Sequence, residues 1–342
     1  MKAVLYREFG GLDKLEFCDV PDPEPGPGQA LVRVGACSLN RTLDIETRVN
    51  GYMNPHLPHI GGTDPAGEVV AVGPGVRQAK VGDRVGAMPY FSCGSCVPCR
   101  AGRTNICERL SVFGVHHQGG FAEYTVIPES SLVFLPDAVS YDQAAAIALS
   151  YSTAWHLLVG RAQIGPKDTV LILAAGSGLG VAGTQIARLS GARVIAAAGS
   201  DSKLERSREL GADETINYSK VDFSEAVKEL TSGRGVDVVF ENIGTETWDK
   251  SIASLAKGGR LVTCGVHGGA DAKINIRAMY FFEISLLFSV GALPTDLNRV
   301  FDLVGQGKLK AIIDSTYPLE QMVAAQEHLL SRDIFGKVII QP

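Results

Sequence analysis

The sequence predicts a two-domain α/β protein, an all-β module joined to a doubly wound parallel sheet with flanking helices, and three observations lead there. Its 342 residues exceed what one hydrophobic core usually spans. The texture then changes along the chain. Early segments such as 30–36 and 68–73 are short, alternating or β-branched, and broken by Gly and Pro. Beyond Ser140, apolar stretches at 169–173, 193–197, 236–240 and 260–264 alternate with helical periods. Strands buried on both faces and separated by helices make a parallel sheet with right-handed crossovers. Finally, 295–305 reads as a helix and 337–340 as a strand that returns to the first module. The expected division is 1–150 with 293–342 for the β module, and 151–292 for the α/β domain.

Taken in order, residues 1–9 carry Lys2, Arg7 and Glu8 and read as a strand, not as a signal peptide, so a cytoplasmic location is expected. Residues 21–28 form a turn-rich Pro/Gly connector at a sheet edge. No window approaches the ~20 apolar residues of a membrane helix; the richest, 284–293, is too short. With 45% hydrophobic and 20% charged residues the chain has the composition of a folded globular protein. Its net charge is −5, and its Lys and Arg residues are scattered singly. That leaves no basic stripe for a nucleic acid, and the expected partner is a small molecule.

Four of the seven cysteines fall in one loop, Cys93-Gly-Ser-Cys96-Val-Pro-Cys99 followed by Cys107, with Gly94, Pro98 and Gly102 supplying turns. Four thiolates so spaced can wrap one zinc ion in a closed structural site. The alternatives are four free thiols or an iron-sulfur cluster, whose ferredoxin carriers space the fourth cysteine differently. Cys18, Cys37 and Cys264 stand alone in apolar or strand-like context and are expected to be buried hydrophobes.

The strand at 169–173 runs into Ala174-Ala-Gly176-Ser177-Gly178-Leu179-Gly180 and then a helix at 181–189. Glycines at such a junction let backbone N–H groups approach a pyrophosphate at a helix N-terminus. The next strand ends at Ala197 or Ala198 and leads into Gly199-Ser200-Asp201-Ser202-Lys203. An acid at the strand tip would select NAD, but Gly199 stands there, with Ser200, Lys203 and Arg206 nearby as donors. NADP(H) is therefore preferred over NAD(H). Asp201 is the dissenting residue: it either turns inward and restores NAD selectivity or caps a helix starting at Lys203.

Together these features resemble the medium-chain dehydrogenase/reductase superfamily, the group of zinc alcohol dehydrogenases and quinone reductases. The landmarks are 61–73 with Asp64-Pro-Ala-Gly67-Glu68, Val81-Gly-Asp83-Arg-Val85, the four-cysteine loop, Gly119-Gly-Phe-Ala-Glu123-Tyr124 and Gly211-Ala-Asp213, and they span nearly the whole chain. The resemblance implies a GroES-like β domain completed by the C-terminal segment, a Rossmann domain, and an active site in the cleft between them. On the resemblance, Thr153, Asn242, Gly265 and Val266 join the expected cofactor-binding residues. Members that use a catalytic zinc carry ligands at positions that here hold Asn40, Thr63 and Leu149, with an apparent one-residue insertion between Asn40 and Asp44. None of the three is a thiol or imidazole, so no catalytic zinc is expected, and Asn40 is what quinone-reductase relatives place there.

The chemistry so implied is hydride transfer from NAD(P)H to an activated C=C bond or a quinone, with hydrogen bonds in place of a metal stabilising the developing oxyanion. Asn40 is the candidate for orienting substrate or cofactor, and Asp64 for organising the floor of the site. His116, Tyr52 and Tyr151 are candidate proton donors, each expected near a loop facing the site. The alternatives are an alcohol dehydrogenase or carbonyl reductase, zinc-free or with an improvised set of His59, Asp64 and His116, and a binding protein that keeps the cofactor pocket without turnover. The apolar segment 282–290, late in the second domain, points to a homodimer or homotetramer.

Overall fold

Strand Gln29–Ser38 is the hub of the first of two units into which the chain divides in the computed structural model, which describes residues 1–342. That unit comprises Met1–Leu149 and Leu293–Pro342. The strand's long alternating, β-branched sequence lets both its edges be used. It pairs antiparallel with Asp64–Val72, Tyr124–Pro128 and the C-terminal strand Lys337–Gln341. The sheet continues through Arg84–Ala87 to Leu132–Phe134 on one side and through Lys337–Gln341 to Ile313–Pro318 on the other. A second, three-stranded sheet is built around Lys2–Tyr6. Ala3, Leu5, Val34, Leu39 and Phe121 from the N-terminal segments share one core cluster with Leu319, Met322, Val338 and Ile340 from the C-terminal one. Residues ~300 positions apart in sequence thus remove a common apolar surface from water, which is why the β module is discontinuous.

The pairing of Gln29–Ser38 with Asp64–Val72 includes a register shift between Val34 and Ala36. Opposite that irregularity sits Gly67, where an added Cβ would lie 2.0 Å from the carbonyl oxygen of Arg33. Only glycine permits that approach, and the Asp64-Pro-Ala-Gly67 motif has a packing reason independent of chemistry.

The second unit, Ser150–Ala292, is a six-stranded all-parallel sheet in the order Glu214–Asn217, Arg193–Ala198, Thr169–Ile172, Val236–Glu241, Leu255–Thr263, Ser285–Phe288. The strand order reverses at Thr169–Ile172, the doubly wound pattern. Leu171, Ile195, Val239 and Leu261 face the same core as Phe223, Val227 and Trp248 from the covering helices. Two expectations need correction. The strand at 260–264 starts earlier, at Leu255. The apolar segment 282–290 is a strand only over Ser285–Phe288, because the preceding helix Ile276–Phe281 runs up to it and the chain turns at Glu283, whose φ is 52°. No helix is long and apolar enough to cross a membrane.

Gly67→Ala is expected to lower stability by about 1–3 kcal/mol, the usual cost of overpacking. Urea unfolding of the full chain measures it, and an unchanged midpoint would show that the two strands separate at no cost.

Candidate functional site

Ser38 and Asp64 face each other in register where strands Gln29–Ser38 and Asp64–Val72 end and begin. The polar residues flanking those strand ends converge on one buried cluster. Asp64 Oδ2 accepts from Ser38 Oγ at 2.8 Å and from Asn40 Nδ2 at 3.0 Å. Asn40 Nδ2 also donates to Thr63 Oγ1 at 2.9 Å. A fifth member arrives from the other end of the chain. Lys337 heads the C-terminal strand, and its Nζ donates to Asn40 Oδ1 at 2.6 Å and to the Leu39 carbonyl at 2.8 Å, with Asp64 Oδ2 3.8 Å away. Asp64 has no solvent exposure and Lys337 only 5%. Burial pushes the Asp64 carboxyl up and the Lys337 ammonium down, and each is opposed by the charge of the other.

The chain after Asn40 does not enter an ordinary α-helical turn. Residues Arg41–Glu46 form a π-helical turn, in which both the Asp44 and Ile45 amides donate to the Asn40 carbonyl. Such a turn is wider than an α-helical one. It aims the buried Asp44 back at the cluster, where Oδ2 accepts from the Asn40 amide at 2.6 Å and Oδ1 from the Gly62 amide at 3.1 Å. Burial raises the Asp44 carboxyl to about 7, against the pull of the Asn40 amide.

The four thiols of Cys93, Cys96, Cys99 and Cys107 lie within 4.8 Å of one another, and Cys96 Sγ is 3.8 Å from Cys107 Sγ. Four sulfurs about 2.3 Å from a tetrahedral zinc stand about 3.8 Å apart, so the set fits that ion. Backbone N–H groups already point at the sulfurs: Cys96 at Cys93, and Cys93 and Arg109 at Cys107. Amide hydrogen bonds from Ser95 and Cys96 hold the Cys93 thiol down to about 4, while burial pushes Cys99 up to about 12. No other group of three or more His, Cys, Asp or Glu ligand atoms converges in this way. His59, Asp64 and His116 are thus not assembled into a metal-binding set. His59 Nε2 instead contacts the Gly114 carbonyl at 2.9 Å.

In the second unit the glycine loop serves as the start of a helix. Helix Gly178–Leu189 begins three residues before the expected 181, with Ser177 as its N-cap, Oγ accepting from Gly180 N at 3.0 Å. Gly178, Leu179 and Gly180 are therefore its first turn, where amides have no intrahelical acceptor. A Cβ on Gly180 would lie 2.2 Å from the Ala174 carbonyl oxygen, so this glycine holds helix and strand together. Nearby, Asn242 Nδ2 donates to the Leu173 carbonyl at 3.2 Å, and a Cβ on Gly265 would meet the Asn242 carbonyl oxygen at 2.5 Å. Gly176 lies in the turn before the cap, and Val266 is exposed in the loop after strand Leu255–Thr263. Thr153 Oγ1 is buried without a hydrogen-bond partner. An orphaned hydroxyl and a backbone cradle closed to Cβ atoms fit a bound dinucleotide.

Residues 26–137 match the alcohol dehydrogenase GroES-like domain, and residues 178–306 match the zinc-binding dehydrogenase family. An NAD-dependent alcohol dehydrogenase of Sulfolobus acidocaldarius is 33% identical, over 100% of this chain and 99% of that protein. The chain belongs to the medium-chain dehydrogenase/reductase superfamily. A quinone oxidoreductase of Pseudomonas aeruginosa is 30% identical over 100% of this chain and 99% of its own length. A solved structure of an NAD-dependent alcohol dehydrogenase superposes with a TM-score of 0.95 at 42% identity, covering 100% of both chains. This medium-chain dehydrogenase/reductase is an oxidoreductase with a GroES-like unit and a Rossmann unit.

Several expected site residues are placed differently. Tyr151 is not on a loop: it lies inside helix Tyr141–Trp155, fully buried, its phenol oxygen accepting from Gln185 Nε2 at 3.0 Å. His116 Nδ1 accepts from the Val112 amide at 2.9 Å, bracing its own turn. Tyr52 is exposed. Of the three solitary cysteines only Cys37 is fully buried; Cys18 and Cys264 are half-buried. The helix after Gly199 is capped at Ser200 and begins at Asp201, two residues before Lys203. Asp201 is held by Asn217 Nδ2 at 2.7 Å, at the end of the neighbouring strand, and by Lys220 Nζ at 2.5 Å, just beyond it. Lys220 and Lys337 were invisible to sequence reasoning, because neither lies in a motif and each acts across a strand pair.

Asp44 stands at about 7 in the fold against an ordinary 3.8. Between those values the folded chain holds a proton that the unfolded chain has lost. Its stabilisation is full below the unfolded value and is lost as pH rises through the folded one. The melting temperature is expected to change less favourably with rising pH, from about pH 4 to about pH 7, in the wild type than in Asp44→Asn. Parallel curves would show that Asp44 does not titrate in this range.

Proposed function

We propose that this medium-chain dehydrogenase/reductase is an NADP(H)-dependent reductase of activated C=C bonds or quinones, working without a catalytic zinc and holding one structural zinc in its cysteine loop. The observation that carries the reading is the donor set at the positions where zinc-using members place ligands. Asn40 and Thr63 are neutral oxygen and nitrogen groups hydrogen-bonded to each other and to Asp64, and Leu149 offers no side-chain ligand atom. A Lewis-acid zinc selects thiolate, imidazole and carboxylate ligands around an open position, and this set supplies none in that form. When bound, the nicotinamide supplies the hydride. The chain's own task is then to orient the acceptor, through Asn40 and the residues that hold it, and to bring a hydrogen-bond donor to the charge that develops on its oxygen.

The NADP(H) preference rests on Gly199 at the strand tip and on the capture of Asp201 by Lys220 and Asn217, which partly neutralises the one nearby acid. Ser200, Lys203 and Arg206 add donors and positive charge for a 2′-phosphate. The relatives named NAD-dependent alcohol dehydrogenases make NAD the competing cofactor and alcohol oxidation the competing reaction.

We also propose a homodimer through the edge of the parallel sheet. Strand Ser285–Phe288 pairs on one side only, and the adjoining helix exposes Ile276, Tyr280 and Phe281, the last at 68%. An apolar edge of this kind is covered by a partner or aggregates.

Two measurements test these readings. Cofactor consumption is expected with NADPH and an enone or quinone and weak with alcohols, with zinc analysis on the same sample giving one ion per chain. Two ions per chain, or alcohol turnover abolished by a chelator, would refute the zinc-free mechanism. Light scattering at micromolar concentration is expected to give twice the chain mass, and Phe281→Glu to shift it toward one; a monomeric wild type would overturn the interface.

A further inference from the structure

We propose that Lys337 is the positioning residue of the site: its buried ammonium fixes the Asn40 carboxamide in one orientation, so that Asn40 meets bound reactants as a hydrogen-bond acceptor and not as a donor. The inference rests on the reading that Asn40 faces the reactants, and it deepens that reading.

The hydrogen-bonding valences of the amide are nearly all spent within the protein. A carboxamide offers two N–H donors and an oxygen with two acceptor sites. Asn40 uses both donors internally, on Thr63 Oγ1 at 2.9 Å and Asp64 Oδ2 at 3.0 Å. One acceptor site of Oδ1 is taken by Lys337 Nζ at 2.6 Å. A single valence remains, the second lone pair of Oδ1. An amide can usually be turned over with little change in shape, but here its partners forbid it. Lys337 can only donate, and an ionised Asp64 can only accept. The turned amide would set Nδ2 against an ammonium and Oδ1 against a carboxylate, two repulsions in a low-dielectric interior.

Asp64 alone does not hold this arrangement, because Ser38 Oγ already satisfies its Oδ2 at 2.8 Å and the carboxylate could keep that bond with the amide turned away. The ammonium is the element without an alternative. It has no solvent to retreat to, and its other hydrogen bond, to the Leu39 carbonyl at 2.8 Å, anchors it at the base of Asn40's own backbone. Asn40 is also the most exposed of the three, at 9%, against 5% for Lys337 and none for Asp64. The group best placed to meet a ligand is thus the one whose orientation Lys337 sets. An acceptor there suits a hydroxyl or amide N–H on a bound molecule, such as the O–H of a product quinol. The donor to a developing oxyanion must then be another group.

The test is a double-mutant cycle on the full-length chain with Lys337→Met, Asn40→Ala and the pair, followed with NADPH and 1,4-benzoquinone. Lys337→Met is expected to lower kcat about 10–100-fold, the usual effect of removing an orienting partner, with KM for NADPH unchanged. The pair is expected to match Asn40→Ala alone, since Lys337 acts through Asn40. Additive losses, or wild-type kcat in Lys337→Met, would overturn the proposal. Should Lys337→Met not fold, Asp64→Asn/Lys337→Met removes the charge imbalance and takes its place in the cycle. If the wild type turns over alcohols and not quinones, the function reading fails while the cycle, run with the alcohol, still decides the role of Lys337. A readout independent of turnover is solvent exchange of the Asn40 carboxamide protons by NMR: slow in the wild type and fast in Lys337→Met supports the proposal, and equal rates overturn it.

Discussion

A lysine ammonium buried to within 5% of full enclosure must be hydrogen-bonded on nearly every side or give up its proton, and the first unit is arranged around that requirement. Lys337 meets it with the Asn40 side chain, the Leu39 carbonyl and, at longer range, Asp64. These partners belong to two segments, Leu39-Asn40 and Asp64, both remote from Lys337 in sequence, so the ammonium can be satisfied only when the C-terminal strand lies against Gln29–Ser38 in one register. There Ile339 faces Ser38 and Ile340 faces Cys37. A slip of one residue would turn Lys337 to the opposite face and leave Asp64 buried without a countercharge. The apolar cluster that joins Val338 and Ile340 to Val34 and Phe121 supplies most of the driving force, and the ion pair supplies the register.

The same cluster explains the π-turn. Widening the turn at Arg41–Glu46 keeps Asp44 directed at the Asn40 and Gly62 amides. The backbone around Asn40 is thereby held from two sides, by a carboxylate on its N–H and by an ammonium on its side chain. Such a support suits a site whose geometry comes from hydrogen bonds, as the proposed mechanism requires.

The cysteine loop and the glycine loop solve simpler problems. Both are short in sequence: the cysteine loop turns backbone N–H groups toward its sulfurs, and the glycine loop opens a helix whose first turn is capped by Ser177. Their geometry is largely local. The selectivity region after Gly199 lies between these extremes. Ser200 and Asp201 start a local helix, yet the charge of Asp201 is set by Lys220 and Asn217 from the next strand crossing.

The sequence by itself determined what short-range chemistry encodes. The parallel sheet was legible from doubly buried strands alternating with helical periods, and the superfamily from landmarks spread along the chain. The four-cysteine group and the glycine loop were legible because their residues act within about fifteen positions of each other. Tertiary structure decided the rest. Tyr151, read as near a loop, became a buried helical residue bonded to Gln185, since nothing in its neighbourhood in sequence says which helix face is covered. Lys337 looked like the ordinary start of a final strand. Its meeting with Asn40 spans 297 positions, and the physical reason it could not be read is that a buried charge takes its meaning from the partners that chain folding brings to it, not from its neighbours along the chain.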